Sequence, residues 1–420
     1  MKNNNLGLPA IILLGIIPAI MLLIASPRLD SYENITHALG QITALIGMTL
    51  FAITFILSTR MGFLERIFGG LDKVYRIHSF VGASAFILLL FHPLLLVMKY
   101  IPDNLGLAAK YILPGGHLSV DLGIIALTGM IILLSITLYM KMKYNRWKFS
   151  HEFLGIFFMV AVFHIFMVRG TVSRDDIFPG YPIYALIVSA IGILGFIYSL
   201  MIRRMFCSRY EVKSVSCMNS CFDIVLRPLG KPKRYNSGQF MFLKFYSKGL
   251  SHESHPFSIA SGSNDENIRF IIKKLGDFTG MLENVKEKDI VLVEGPYGSF
   301  NRNSRREQVW IAGGIGITPF IGMAKDLSGA RVDLYYSARF EGEFVALEDF
   351  GKIAEKNRNF RIHTWNSSEK GKITIKDMAY GKDKEFYICG PPEMKNALKK
   401  VLIESGIEDN HIVEEDFGFK

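Results

Sequence analysis

Four histidines fall into two matched pairs within apolar stretches. His78 precedes the run Phe80 to Met98, and His92 lies fourteen residues further on. A second run, Phe149 to Val168, carries His151 and His164. On one helix His78 and His92 stand about 21 Å apart and within roughly 40° of the same face. Imidazoles are costly inside a membrane span and mark a site there. Two such helices face to face, each with an inner and an outer histidine, offer four axial ligands, the number that two stacked b-type haems need. A lone histidine in an apolar helix is more often a hydrogen-bonded interior residue, but four of the ten histidines arranged in two pairs weigh against that. The second pair is out of phase. Thirteen steps rotate the side chain by about 220°, so a bulge or kink near Gly155 is needed to bring His151 and His164 to one face.

A second kind of chemistry is written in the C-terminal half. His255-Pro256-Phe257-Ser258-Ile259-Ala260-Ser261 reads as an extended segment able to lay backbone groups and a hydroxyl against a flat ring. Gly276-Asp277-Phe278-Thr279-Gly280 follows Lys273 and Lys274, and small residues at a helix start with a lysine nearby suit a pyrophosphate. Gly313-Gly314-Ile315-Gly316-Ile317-Thr318-Pro319 lies between a strand-like and a helix-like stretch, where glycines let dinucleotide phosphates approach the backbone. It is not a GxGxxG fingerprint, which argues against a Rossmann dehydrogenase. Cys389-Gly390-Pro391-Pro392-Glu393-Met394 supplies a second turn at the same end of the sheet. Ser337 and Arg339 follow another strand, and a hydroxyl with a guanidinium suits a 2′-phosphate, which favours NADPH over NADH.

The elements that must position these residues follow from composition. The chain has 420 residues, half of them hydrophobic, with mean hydropathy +0.26. The apolar residues crowd the first half, in runs at about Leu6–Ala25, 37–58, 77–99, 118–140, 149–168 and 181–202. Each is long enough to span a bilayer. The first could be a cleaved signal peptide, with Ala25-Ser26-Pro27 behind it; its length favours a retained span. The net charge is +10, from 48 basic and 38 acidic residues. Much of the basic charge flanks the spans, as at Arg60, Arg66, Lys73 and Arg76, at Lys141, Lys143, Arg146 and Lys148, and at Arg203, Arg204 and Arg209. Membrane orientation explains it, and no nucleic-acid partner is expected. The positive-inside rule puts these loops and everything after about residue 203 in the cytoplasm. His78 and His151 are then near the inner face, and His92 and His164 nearer the outer face. The four cysteines, Cys207, Cys217, Cys221 and Cys389, read as reduced thiols. From Tyr210 short alternating strands suggest a small β-barrel, and from about residue 307 strands alternate with helices as in an α/β nucleotide domain.

HPFSIAS, GDFTG, EGPYG (Glu294 to Gly298), GGIGITP and CGPPEM occur in the order found in ferredoxin-NADP⁺ reductase-type modules. Behind six spans with paired histidines, they make the whole chain resemble the NADPH oxidase and ferric reductase superfamily, most closely its prokaryotic NADPH oxidases. The resemblance implies that Ser258 and its neighbours contact the flavin, and that Lys273, Gly276 and Thr279 hold the FAD phosphates. It also implies that Gly314, Thr318, Arg339, Cys389 and Pro391 bind NADPH, with Ser258 and Cys389 at the reacting rings. An aromatic near the C-terminus covers the flavin in such proteins, and Phe417 is the residue placed for it, with Phe419 the alternative. Two departures stand out: many reductases of this type carry Arg-x-Tyr-Ser where this chain has His255 to Ser258, and Leu96 occupies the place one turn after His92 where animal oxidases have a histidine.

The expected architecture is a six-span helical domain at 1–204, an FAD-binding β-barrel at 205–304 and an NADPH-binding α/β domain at 305–420. The expected function is electron transfer across the cell membrane, from cytosolic NADPH through FAD and two b haems to an outside acceptor. Oxygen, giving superoxide, is the first candidate acceptor, and ferric or cupric ion the alternative. A haem-free, membrane-anchored NADPH:flavin reductase is the rival of another class. No calcium-binding loop is visible in the sequence, so activity without an obligatory protein partner is expected.

Overall fold

The computed structural model describes residues 6–24, 29–101, 103–168, 180–218, 220–300, 306–378 and 381–415. The chain divides into two compact units. One consists of Asn4–Phe68 with Lys73–Met205, and the other is dominated by Phe206–Lys420.

In the first unit the apolar runs are helices, because a segment in hydrocarbon must satisfy its backbone N–H and C=O groups internally. They are α1 (Gly7–Ile24), α2 (Tyr32–Leu57), the short α3 (Gly62–Phe68), α4 (Leu71–Met98), the short α5 (Leu105–Ala109) and α6 (Leu118–Tyr139). α7 (Tyr144–Glu152), α8 (Leu154–Met167), α9 (Gly180–Ile197) and the one-turn α10 (Arg203–Met205) follow, with a π turn at Tyr198–Ile202 before the last. Among the described residues six stretches are long and apolar enough to cross a membrane, the fifth being Tyr144–Met167 and the sixth Pro182–Met205. Phe158 of α8 is fully buried and meets Phe51 and Phe55 of α2 edge-on at 5.2 and 5.0 Å. A Cβ on Gly129 of α6 would stand 2.0 Å from the Phe157 ring of α8, so glycine is what lets that ring seat between the two helices.

The interruption that the histidine spacing requires near Gly155 is found at Phe153, between α7 and α8. There the Phe153 N–H donates to Ser150 O at 3.2 Å and the Ile156 N–H to Phe153 O at 2.9 Å, shorter-range bonds than those of an α-helix. His151 and His164 therefore belong to two differently phased helical segments.

The second unit begins with β1 (Ser208–Met218), β2 (Cys221–Pro228), β3 (Phe240–Tyr246), β4 (His255–Ser258), β5 (Ile268–Lys273), the four-residue α11 (Asp277–Gly280) and β6 (Ile290–Tyr297). Their antiparallel sheet has the order β4-β3-β6-β1-β2-β5. It corrects the expected barrel, since the sheet is not closed. β4 and β5 stay at its two edges, tied just beyond β4 by a backbone bond from Ala260 N to Arg269 O at 2.8 Å. The reason lies in β4, which has four residues and includes Pro256, whose missing N–H suits an edge.

The chain continues through β7 (Gln308–Gly313), α12 (Thr318–Lys325), β8 (Val332–Ala338), α13 (Leu347–Lys356), β9 (Phe360–Asn366), α14 (Ser367–Lys370), β10 (Glu385–Cys389), α15 (Pro392–Glu404) and β11 (Ile412–Glu415). All these strands run parallel in the order β11-β10-β7-β8-β9. Every residue of β7, β8 and β10 is buried, as expected when both faces of a parallel sheet are covered. The winding reverses at β7, whose neighbours β8 and β10 lead to opposite edges. The crevice at the carboxyl ends of such strands is where nucleotides bind.

Candidate functional site

The membrane unit brings His78 and His151, the expected inner pair, together. His78 of α4 and His151 of α7 have ring centroids 6.1 Å apart. With a metal–imidazole bond of roughly 2 Å, two rings on opposite sides of one iron have centroids about 6 Å apart, so this spacing fits a haem iron between them.

Orientation matters as much as distance. The Nδ1 of His78 lies 3.0 Å from Thr54 O and that of His92 lies 2.8 Å from Gly40 O, both on α2. The Nδ1 of His164 lies 2.6 Å from Ser119 O on α6. An Nδ1–H bonded to a carbonyl fixes the tautomer and leaves Nε2 with its lone pair for a metal. Room is made for the third ring by Gly123, where a Cβ would come 2.8 Å from the His164 ring. His151 differs: its buried Nδ1 has no hydrogen-bond partner among the described residues. Instead the Trp147 indole lies parallel to its ring at 5.3 Å and 7°, and Tyr144 stacks on Trp147 at 5.8 Å. Among the described residues no three or more His, Cys, Asp or Glu gather as a bare ion would require. A haem iron asks only two axial ligands of the protein, because the porphyrin supplies the rest. The residues present fit the group.

In the second unit HPFSIAS and GDFTG come together. The His255 ring lies 3.9 Å from that of Phe278, and its Nε2 pairs with Glu253 at 2.9 Å. β4 is held in register by β3, with Phe240 opposite Ser258 and Leu243 opposite His255. Ser258 and Ile259 are buried, whereas His255, Pro256 and Phe257 are half-buried. Thr279 closes the Gly276 loop on itself, its Oγ1 accepting from the N–H groups of Leu275 and Gly276 at 2.9 and 3.0 Å. Those two amides are therefore engaged within the loop, while Lys273 on β5 remains half-buried and Lys274 exposed beside Glu283. Behind the HPFSIAS segment, Tyr235 donates to Gly262 O at 2.6 Å and pairs with Ser261 Oγ at 2.8 Å. Burial pushes this phenol up to about 12, so it stays a donor.

GGIGITP and CGPPEM also meet. A Cβ on Gly316 would stand 2.4 Å from Cys389 O, and one on Gly313 would stand 2.8 Å from Met394 and 2.9 Å from Pro391. Gly314 adopts φ +54° with open space beside it, and Pro319 sits in the first turn of α12 next to the buried Thr318. Cys389 is fully buried, and Gly390 packs a Cβ's width from Gly313. Ser337 sits opposite Gly313 at the end of β8. Arg339, just beyond it, is exposed, with its N–H on Glu343 at 3.2 Å and its guanidinium 5.2 Å from the Phe340 ring. Phe417 and Phe419 lie outside the described residues.

Family profiles match in the same order as these elements. Residues 43–162 match "Ferric reductase like transmembrane component", 209–301 an "FAD-binding domain" and 310–400 an "Oxidoreductase NAD-binding domain". The chain has the architecture of the ferric reductase and NADPH oxidase superfamily. It joins a ferric-reductase-like transmembrane component to the FAD-binding and NAD-binding domains of an oxidoreductase, and its helical unit has several helices long and apolar enough to cross a membrane. It is 32% identical over 165 residues to a Na(+)-translocating NADH-quinone reductase component of Idiomarina loihiensis, a match over 34% of this chain and 40% of that one. The corresponding component of Histophilus somni is 27% identical over 223 residues, covering 44% of this chain and 55% of that one. The chain therefore spans only about half the length of these relatives. Among solved structures it is similar to a ferredoxin-NADP⁺ reductase from Plasmodium falciparum, with 21% identity, TM-score 0.43, and coverage of 50% of this chain and 95% of that one.

Two contacts escaped sequence reasoning. Trp147 is one turn before His151, an i, i+4 spacing that was available to read. The ion pair of Arg269 with Asp349, 80 positions apart, left no signal in the sequence.

Proposed function

We propose that this superfamily member carries electrons from NADPH through FAD and two b haems to an acceptor on the far side of the cell membrane, most simply oxygen, giving superoxide. The observation that carries the reading is the 6.1 Å separation of the His78 and His151 rings. The bonds from His78, His92 and His164 to backbone carbonyls support it. FAD bound here would supply the exchange of a hydride from NADPH for single electrons, and haem would supply their relay. The stoichiometry is NADPH plus two O₂ to NADP⁺, a proton and two superoxide ions.

The chain's own residues hold and orient. His78 and His151 hold the inner iron, and His92 and His164 the outer one. Haems held by these histidines would supply one-electron relay across the membrane. Ser258 and its neighbours on β4 lie against the isoalloxazine, and Lys273 and the Gly276–Thr279 loop lie near the FAD phosphates. The turn at Gly313–Thr318 takes the pyrophosphate of NADPH, the Cys389–Pro391 turn borders the nicotinamide, and Ser337 with Arg339 meets the 2′-phosphate. Basic flanks such as Arg203, Arg204 and Arg209 support a cytoplasmic side for the nucleotide domains, by the positive-inside rule.

The deciding experiment is the absorption spectrum of the purified, dithionite-reduced chain with a haem-to-flavin ratio. About two b haems per FAD are expected, and a flavin spectrum alone would replace this reading with that of a haem-free reductase. Superoxide yield set against ferrozine-trapped iron separates oxygen from ferric ion as acceptor. The likeness to quinone-reductase components adds a quinone to the acceptors worth assaying.

A further inference from the structure

Arg269 lies on β5, in the FAD-binding half, yet its side chain reaches the nucleotide half. Its Nε and Nη2 fork onto Asp223 of β2, with Nε–Oδ1 2.9 Å and Nη2–Oδ2 2.7 Å, and its Nη1 reaches Asp349 Oδ2 on α13 at 2.7 Å. Because the guanidinium is planar, seating one edge on Asp223 aims the remaining donor at Asp349. The arginine and Asp223 are 19% and 12% exposed and Asp349 is 29% exposed, so the pair is shielded from solvent well beyond a surface ion pair.

The backbone of the same residue is stitched to the HPFSIAS segment. The Arg269 N–H donates to Ser261 Oγ at 3.1 Å, and its carbonyl accepts from Ala260 N–H at 2.8 Å. Ser261 is itself a pivot. A Cβ on Gly322 of α12, the helix that begins at the nucleotide-binding turn, would stand 2.4 Å from Ser261 O. Asp326 near the end of α12 accepts from Ser263 N–H at 2.7 Å, and Lys325 pairs with Asp265 at 2.8 Å. Close packing at Ser261 and Gly322 thus fixes the point where the two halves meet, and Arg269 with Asp349 fixes the angle about it.

We propose that Arg269 is a positioning residue for hydride transfer, clamping the nucleotide half through Asp349 to the segment that lines the flavin. The proposal rests on the reading that residues 255–261 line FAD and that NADPH binds at the β7 and β10 turns. Hydride passes from nicotinamide C4 to flavin N5 as a pair of electrons with its proton, at a reacting distance of roughly 3–3.5 Å, and a displacement of about 1 Å costs on the order of 10²-fold. The clamp acts on that distance and touches neither ring.

The test is anaerobic stopped-flow reduction of FAD by NADPH in the full-length protein, with reduction in the parent chain checking the underlying reading separately. Asp349→Asn is expected to lower the limiting rate about tenfold or more, with NADPH affinity, FAD content and melting temperature held within about twofold or a few degrees. Asp349→Glu should restore part of the rate, and Arg269→Lys should behave like Asp349→Asn because it keeps the charge but loses the fork. An unchanged limiting rate in Asp349→Asn overturns the proposal. So does a loss that follows FAD content and melting temperature in both variants, since that is a purely structural role.

Discussion

The Nδ1 of His92 lies 2.8 Å from the carbonyl oxygen of Gly40 on the neighbouring helix. The bond crosses from α4 to α2 and leaves the other nitrogen with its lone pair. Replacing His92 or His164 with leucine should each lower the haem content from about two to about one per chain, measured as the pyridine haemochrome. Two haems retained in a variant lacking all four histidines would exclude the assignment.

His151 is held by a ring where the other three are held by a carbonyl. Trp147→Leu should therefore loosen the inner haem selectively, lowering the haem content to about one per chain during purification, while Trp147→Phe retains it. Equal loss from both sites, resolved by potentiometric titration, would show that Trp147 supports the bundle as a whole.

Arg339→Ala should raise the KM for NADPH about tenfold, corresponding to roughly 1.5–3 kcal/mol for a charged hydrogen bond, and leave NADH use nearly unchanged. Steady-state kinetics with both donors checks it. A parallel loss with NADH would assign Arg339 to the loop that it shares with Glu343 and Phe340.

Gly316→Ala puts a Cβ 2.4 Å from the carbonyl of Cys389, a backbone atom that cannot swing away. It should cost about 1–3 kcal/mol and lower the thermal midpoint of the nucleotide-binding half. Gly314→Ala meets no atom and pays only for its φ of +54°, so its midpoint should fall by less.

Tyr235 contributes stability that depends on alkaline pH. Its folded pKa of about 12 is raised above the ordinary phenol value of 10 by burial. The contribution is complete below pH 10 and is lost as pH rises from there through about 12. In denaturant melts, Tyr235→Phe should cost about 1–2 kcal/mol near neutrality and show a shallower decline above pH 10.

The histidine pairs, the six apolar runs and the order of the motifs were legible in the sequence because each is a local signal. Apolar length sets a span, and a strand followed by glycines sets a turn at the end of a sheet. The phase of His151 against His164 required an interruption, and only the fold put it at Phe153. The barrel expected from short strands was an open sheet, because strand length predicts a ladder but says nothing about whether its edges meet. The carbonyls of Gly40, Thr54 and Ser119 carry no side-chain signature, so no reading of residue types could have named them as histidine partners. Arg269 and Asp349 are two ordinary surface charges in the sequence. They become a clamp only once β5 and α13 are packed side by side, since an ion pair is a matter of distance in space and the chain records only distance along itself.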